Sequence, residues 1–99
     1  MNIVEETLVF KLSHDNDFSN IEINSGVRHF IADVRNTEVD VLNSIKDKFI
    51  TFGSSISKIN GSFVIVSRFS FSDDLTIVPT LQEAYDYIEM EEIERQLNL

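Results

Sequence analysis

The sequence predicts a single α/β domain with a four-stranded, mostly parallel mixed sheet and two main helices. Three observations carry that expectation. The runs Phe30-Ile31-Ala32 and Phe63-Val64-Ile65-Val66 are apolar at every position, as expected of strands covered on both faces. Between them, apolar residues fall at Leu42, Ile45, Phe49, Phe52, Ile56 and Ile59, in steps of 3, 4, 3, 4 and 3, which is one face of a helix. The last segment opens with Thr80 and Glu83, the spacing of a capping box.

In chain order, residues 7–12 come first; they are rich in β-formers and read as a strand. Residues 13–20 are turn formers and read as a loop. Ile21, Glu22 and Ile23 alternate as a short exposed strand would, and Asn24, Ser25 and Gly26 turn the chain. Residues 27–34 form the second strong strand. Polar residues 35–38 then lead into the helix, where Lys46, Asp47, Lys48 and Ser54 lie off the apolar face. Gly53 weakens that helix by about 1 kcal/mol relative to alanine. Asn60 and Gly61 end it, because both tolerate the left-handed conformation at a helix C-terminus. Residues 62–67 form a third strand, so strand, helix and strand make a right-handed parallel crossover. Residues 68–74 are a polar connection carrying Phe69 and Phe71. Residues 75–78 form a short last strand, which Pro79 cannot prolong.

A chain of 99 residues holds one domain and one modest core. With 42% apolar and 25% charged residues the composition is that of a folded domain, not a disordered one. The absence of cysteine removes disulfides and thiolate chemistry, and fits a reducing cytoplasm. Residues 1–6 lack a basic segment followed by an apolar run, so no signal peptide is expected. No apolar stretch approaches the roughly 20 residues of a membrane span. The net charge of −9 argues against direct nucleic-acid binding, which needs a basic patch. The same charge can steer the chain toward basic partners.

Little in the sequence points to catalysis. His14 and His29 stand in no metal-binding spacing, and a structural or solvent role is the expectation for both. Asp15, Asp17 and Ser19 have the opening spacing of a calcium loop. Asn20 and Gly26 occupy the positions where that loop needs glycine and glutamate, so the segment reads as a polar turn. Gly26, Gly53 and Gly61 stand alone, which excludes a glycine-rich phosphate loop. The adjacent acids Asp73-Asp74 and Glu91-Glu92 read as solvated faces. No metal and no cofactor are expected, and the chain does not read as an enzyme. Ser44 lies near the start of the first helix, off its apolar face. A phosphoserine there would be tolerated electrostatically, and the plain alternative is a cap or an exposed serine.

The closing segment poses a sharper problem. Leu81, Ala84, Tyr85 and Ile88 form one stripe able to cover the sheet. Continuing it reaches Glu91 and Glu92, which are poor core residues. Met90, Ile93 and Leu97 form a second stripe at i, i+3 and i+7, rotated around the helix. One straight helix cannot bury both against one sheet. Either the helix bends, or its last turns fray, or the second stripe meets another chain. The last option makes Met90, Ile93 and Leu97, framed by Glu91, Glu92 and Glu94, a partner-binding surface. It also makes residues 89–99 a protruding extension of the domain.

The order of these elements resembles the STAS domain of anti-sigma factor antagonists. The resemblance rests on residues 27–34, the following helix, Asn60-Gly61-Ser62-Phe63-Val64-Ile65-Val66, and Ile77-Val78-Pro79-Thr80-Leu81-Gln82-Glu83-Ala84. It spans residues 27–97. Relative to that family the chain is trimmed, with no helix in residues 13–26 or 68–74. The family's phosphorylation motif, Asp-Ser-Ser/Thr-Gly, falls on Leu42, Asn43, Ser44 and Ile45. Only Ser44 matches it, at the phosphoacceptor. The resemblance implies a non-enzymatic, regulatory or accessory protein-binding module of the bacterial cytoplasm. Its partner would be a kinase-like anti-sigma factor or another regulatory protein, with a homodimer also open. The alternative is an acidic inhibitor or immunity-type protein covering the basic site of a nucleic-acid enzyme.

Overall fold

A computed structural model describes residues 6–12 and 27–97. The elements are β1 (Thr7–Phe10), β2 (His29–Asp33), α1 (Val39–Lys58), β3 (Ser62–Val66), β4 (Ile77–Val78) and α2 (Leu81–Leu97). The expectations for residues 13–26, including the loop, the Ile21–Ile23 strand, His14 and the Asp15–Asp17–Ser19 turn, lie outside the described residues. No helix among the described residues is long and apolar enough to cross a membrane.

The four strands form one sheet in the order β1-β2-β3-β4. Every pairing among them is parallel, so the mixed sheet expected from the sequence becomes an all-parallel one. Parallel strands of a buried sheet need cover on both faces, and the two helices supply it. Leu42, Ile45, Phe49 and Ile56 of α1 pack with Phe10, Phe30, Ala32 and Ile65 on one face. Ala84 and Ile88 of α2 pack with Ile31, Val64 and Val66 on the other. Alternate residues of β2 and β3 therefore go to opposite cores, which is why both strands read as unbroken apolar runs. Aromatic rings fill the α1 side. Phe52 meets Phe63 edge-on at 5.1 Å and Phe30 edge-on at 5.4 Å, the arrangement that ring quadrupoles favour. The connection after β3 joins this side, with Phe71 buried and Phe69 and Leu75 packed against the cluster.

Specific backbone contacts fix where α1 ends and α2 begins. The end of α1 is a Schellman turn. Gly61 N–H donates to Ile56 C=O at 3.0 Å and Asn60 N–H to Ser57 C=O at 3.0 Å. Among the described residues Asn60 alone takes the left-handed conformation, with φ of 58°. Gly61 is needed for a different reason: a Cβ there would stand 1.8 Å from the Arg28 carbonyl oxygen. Ile59 falls beyond the helix, and it is 38% exposed rather than part of the buried stripe. At the start of α2 the Thr80 hydroxyl accepts the Glu83 N–H at 3.1 Å, the bond that the capping spacing predicts.

Candidate functional site

The inner face of α2 extends one step further than the apolar pattern suggests. Glu92 follows Ile88 by four residues, so it lands on the same side of the helix. It is only 4% exposed. A carboxylate is buried at such a position only with charged partners, and two arginines provide them. Arg28, just before β2, forms a hydrogen-bonded ion pair with Glu92 Oε2. Arg95, one turn further along α2, donates to Glu92 Oε1 at 2.9 Å. Arg95 also donates to Gly61 C=O at 2.7 Å and to Ser62 Oγ at 2.9 Å. The far half of α2 is thereby fastened to the amino ends of β2 and β3. Residues 89–95 lie on the body of the domain instead of protruding from it.

The register of the sheet brings a histidine to the same point. His29 and Ser62 open β2 and β3 and face each other across the pairing. The Ser62 N–H donates to His29 Nδ1 at 3.2 Å inside the fold. His29 Nε2 looks toward Glu6 Oε2 at 3.9 Å, beyond hydrogen-bond reach. Glu6 Oε2, Arg28 Nε and His29 Nε2 are buried and have no hydrogen-bond partner among the described residues. Glu6 Oε2 is compensated electrostatically by Arg28 Nη2 at 3.6 Å. Burial first, and then the Arg28 charge, hold the His29 pKa below its ordinary value. Burial alone would raise the Glu92 pKa. The bonds donated by Arg95 and Arg28 outweigh it, and the pKa lies below the usual carboxylate value.

Glu6, His29 and Glu92 each place one donor atom within 4.8 Å of the others, a spacing that could hold a metal ion. The chemistry of the three argues against it. Because Nδ1 accepts the Ser62 N–H, the neutral ring carries its proton on Nε2. That nitrogen has no lone pair for a cation. Two guanidiniums already occupy the Glu92 oxygens as well. In this arrangement His29 is the buried acceptor of a bond that joins β2 to β3.

The outer face of α2 is the converse of this inner one. At about 100° per residue, Met90, Ile93 and Leu97 lie on the side opposite Ala84, Ile88 and Glu92. They are 62%, 50% and 78% exposed. The helix is continuous through Leu97, and the inner contacts of Glu92 and Arg95 hold it in place. The second stripe is therefore displayed on an intact helix. Glu94 is exposed beside it, and Glu91 is half-buried, 3.8 Å from Arg95. Glu92 does not belong with them. The sequence expectation counted it among the partner-binding acids, whereas its carboxylate points inward and is spent on two arginines.

Among the described residues, none of the remaining sequence features lies on this surface. Ser44 is exposed in the second turn of α1, and its hydroxyl donates to Val41 C=O at 2.7 Å, so it is not the helix cap. At the other end of the sheet, Arg35 pairs with Asp33 at 2.8 Å and holds its carboxyl below the usual range. The order of the described strands runs through without reversal, so among them there is no switch point of the kind at which α/β folds form a ligand crevice. A cavity of about 380 Å³ opens where β4 is too short to pair with the first half of β3. Its walls set Lys58 and Arg95 against Asp74 and Glu91, and Arg95 is already committed to Glu92, Gly61 and Ser62. Sequence reasoning missed Glu6, Arg28 and Arg95. The available signal was Glu92 continuing the buried stripe, with a lone arginine three residues on.

Comparison of the chain with protein-family models, curated proteins and solved structures finds no match.

Proposed function

We propose that this chain is a non-enzymatic protein-interaction module that presents the outer face of α2 to a protein partner. The observation that carries the reading is the exposed row Met90, Ile93 and Leu97 on a helix whose opposite face is fully engaged. Large apolar side chains in line at i, i+3 and i+7 suit docking against another protein. They contribute less burial to the fold than Ala84 and Ile88 on the inner face do. By the resemblance to STAS domains, the module is regulatory or accessory and works in a bacterial cytoplasm, and Ser44 is its modifiable position. The lack of cysteine agrees with that compartment.

The test is to capture a partner with the full chain, purify it, and titrate it against the wild type and against Ile93→Asp/Leu97→Asp. Both positions are exposed, so thermal unfolding of the variant should match the wild type. Loss of binding with unchanged stability supports the reading, and equal binding refutes it. The net charge of −9 favours a second reading, an acidic inhibitor covering a basic enzyme site. In that case affinity collapses with added salt and barely responds to the apolar substitutions.

A further inference from the structure

The chemistry of the outer face says what kind of surface it fits. Met90, Ile93 and Leu97 stand three and four residues apart, the spacing of one coiled-coil seam with Met90 and Leu97 at a and Ile93 at d. That register puts Glu89 at g and Glu94 at e, one on each flank of the seam. Both are exposed, and no ion pair among the described residues engages either. Glu92, in contrast, falls at c, on the face turned to the sheet, and is neutralised there. The outer face is thus an apolar line between two uncompensated acidic edges.

A second copy of the chain fits this face badly. In a parallel pair, g of one helix lies across from e of the next heptad in the other, five residues on. Glu89 would face Glu94 of its copy, and Glu94 would face Glu89. In either direction, two helices each carrying Glu83, Asp86, Glu89, Glu91 and Glu94 would be pressed together. Like charges across a seam select against self-pairing. Lysine or arginine at the facing e and g positions would satisfy both edges.

We infer that the partner docks a basic amphipathic helix lengthwise along α2, seating its apolar seam on Met90, Ile93 and Leu97 and its cations against Glu89 and Glu94. This rests on the protein-binding reading above and adds the partner's chemistry to it. The probe is a three-heptad helical peptide with leucine at a and d and lysine at e and g. Its companions are the same peptide with glutamate at e and g, and a scrambled lysine peptide with no seam. Titrated into the full chain and followed by amide chemical shifts, the lysine peptide should bind at least about tenfold tighter than either companion, with shifts along residues 89–97. It should lose about tenfold or more in affinity with Ile93→Asp, and Glu89→Lys/Glu94→Lys should reverse the preference toward the glutamate peptide.

Equal binding of the lysine and glutamate peptides, both abolished by Ile93→Asp, would overturn the basic-helix chemistry while leaving α2 as a docking surface. Binding of the scrambled peptide as tightly as the seamed one would reduce the effect to bulk charge and overturn the inference. So would self-association of the chain through residues 89–97, or no binding at all.

Discussion

Replacing Glu92 with glutamine tests whether the internal ion cluster holds the last helix. The change keeps the side chain's volume and removes its charge. In the native structure the carboxylate accepts from two guanidiniums, and each charge-assisted bond contributes about 1.5–3 kcal/mol. The two arginine side chains are 33% and 29% exposed, so water recovers part of that when the charge is lost. Arg95 also keeps its bonds to Gly61 and Ser62. Breaking a fully buried pair costs about 3–5 kcal/mol, and the partial exposure sets the expectation lower, at about 2–3 kcal/mol. For a domain this small that is a fall in Tm of about 10–20 °C. Glu91→Gln is the control. Its carboxylate is 33% exposed and 3.8 Å from Arg95, and such contacts contribute about 0–1 kcal/mol. Urea unfolding of both variants and the wild type at neutral pH measures the difference. If the two variants agree within about 0.5 kcal/mol, the buried cluster is not what fastens α2, and the account of how its outer face is displayed fails with it.

Stability should fall with acid in two stages. His29 stays neutral in the fold with its pKa below the ordinary 6.5, so the unfolded chain binds the extra proton and stability declines as pH drops below about 6.5. Glu92, whose pKa is depressed from about 4.5, adds a further loss as pH falls below that value. Denaturation midpoints measured from neutral to acid pH give the profile, and His29→Gln should flatten its upper stage while leaving the lower one. Gly61→Ala forces a methyl group to within 1.8 Å of the Arg28 carbonyl oxygen. It should destabilise at or above the upper end of the about 1–3 kcal/mol of an overpacked site. An unfolding curve within about 0.5 kcal/mol of the wild type would contradict that close approach.

The parts of the fold that repeat a local rule were readable from the chain. The apolar runs of β2 and β3 signal two-sided burial because each strand really is covered on both faces. The spacing from Leu42 to Ile56 signals α1 because one helix face meets one sheet face. Thr80 marks the start of α2 because a cap is a contact between residues three apart. What the sequence concealed depends on residues that meet only after folding. Arg28 and Glu92 are 64 positions apart, and nothing in the periodicity of either segment joins them. A glutamate at the end of an apolar stripe looks like the place where burial stops. It is buried because a guanidinium from the start of β2 and another from the next turn arrive at its two oxygens. His29 shows the same limit, since only the register of β2 against β3 puts the Ser62 N–H on its Nδ1. Ile59 shows the opposite case, where the helical spacing continues one residue past the helix.

The division of charge along α2 links the fold to the proposed role. Of its acids, Glu92 serves the folded state, because its charge is balanced within the domain. Glu89 and Glu94 do not, since uncompensated like charges on a compact acidic domain oppose folding slightly. Met90, Ile93 and Leu97, at 62%, 50% and 78% exposed, contribute only part of the burial that an apolar side chain can give. If α2 were only a cover for the sheet, polar uncharged residues at these five positions would change the stability of the fold little. On the proposal made above, their worth lies outside the chain, in a surface that desolvates the apolar line and supplies positive charge along both of its edges.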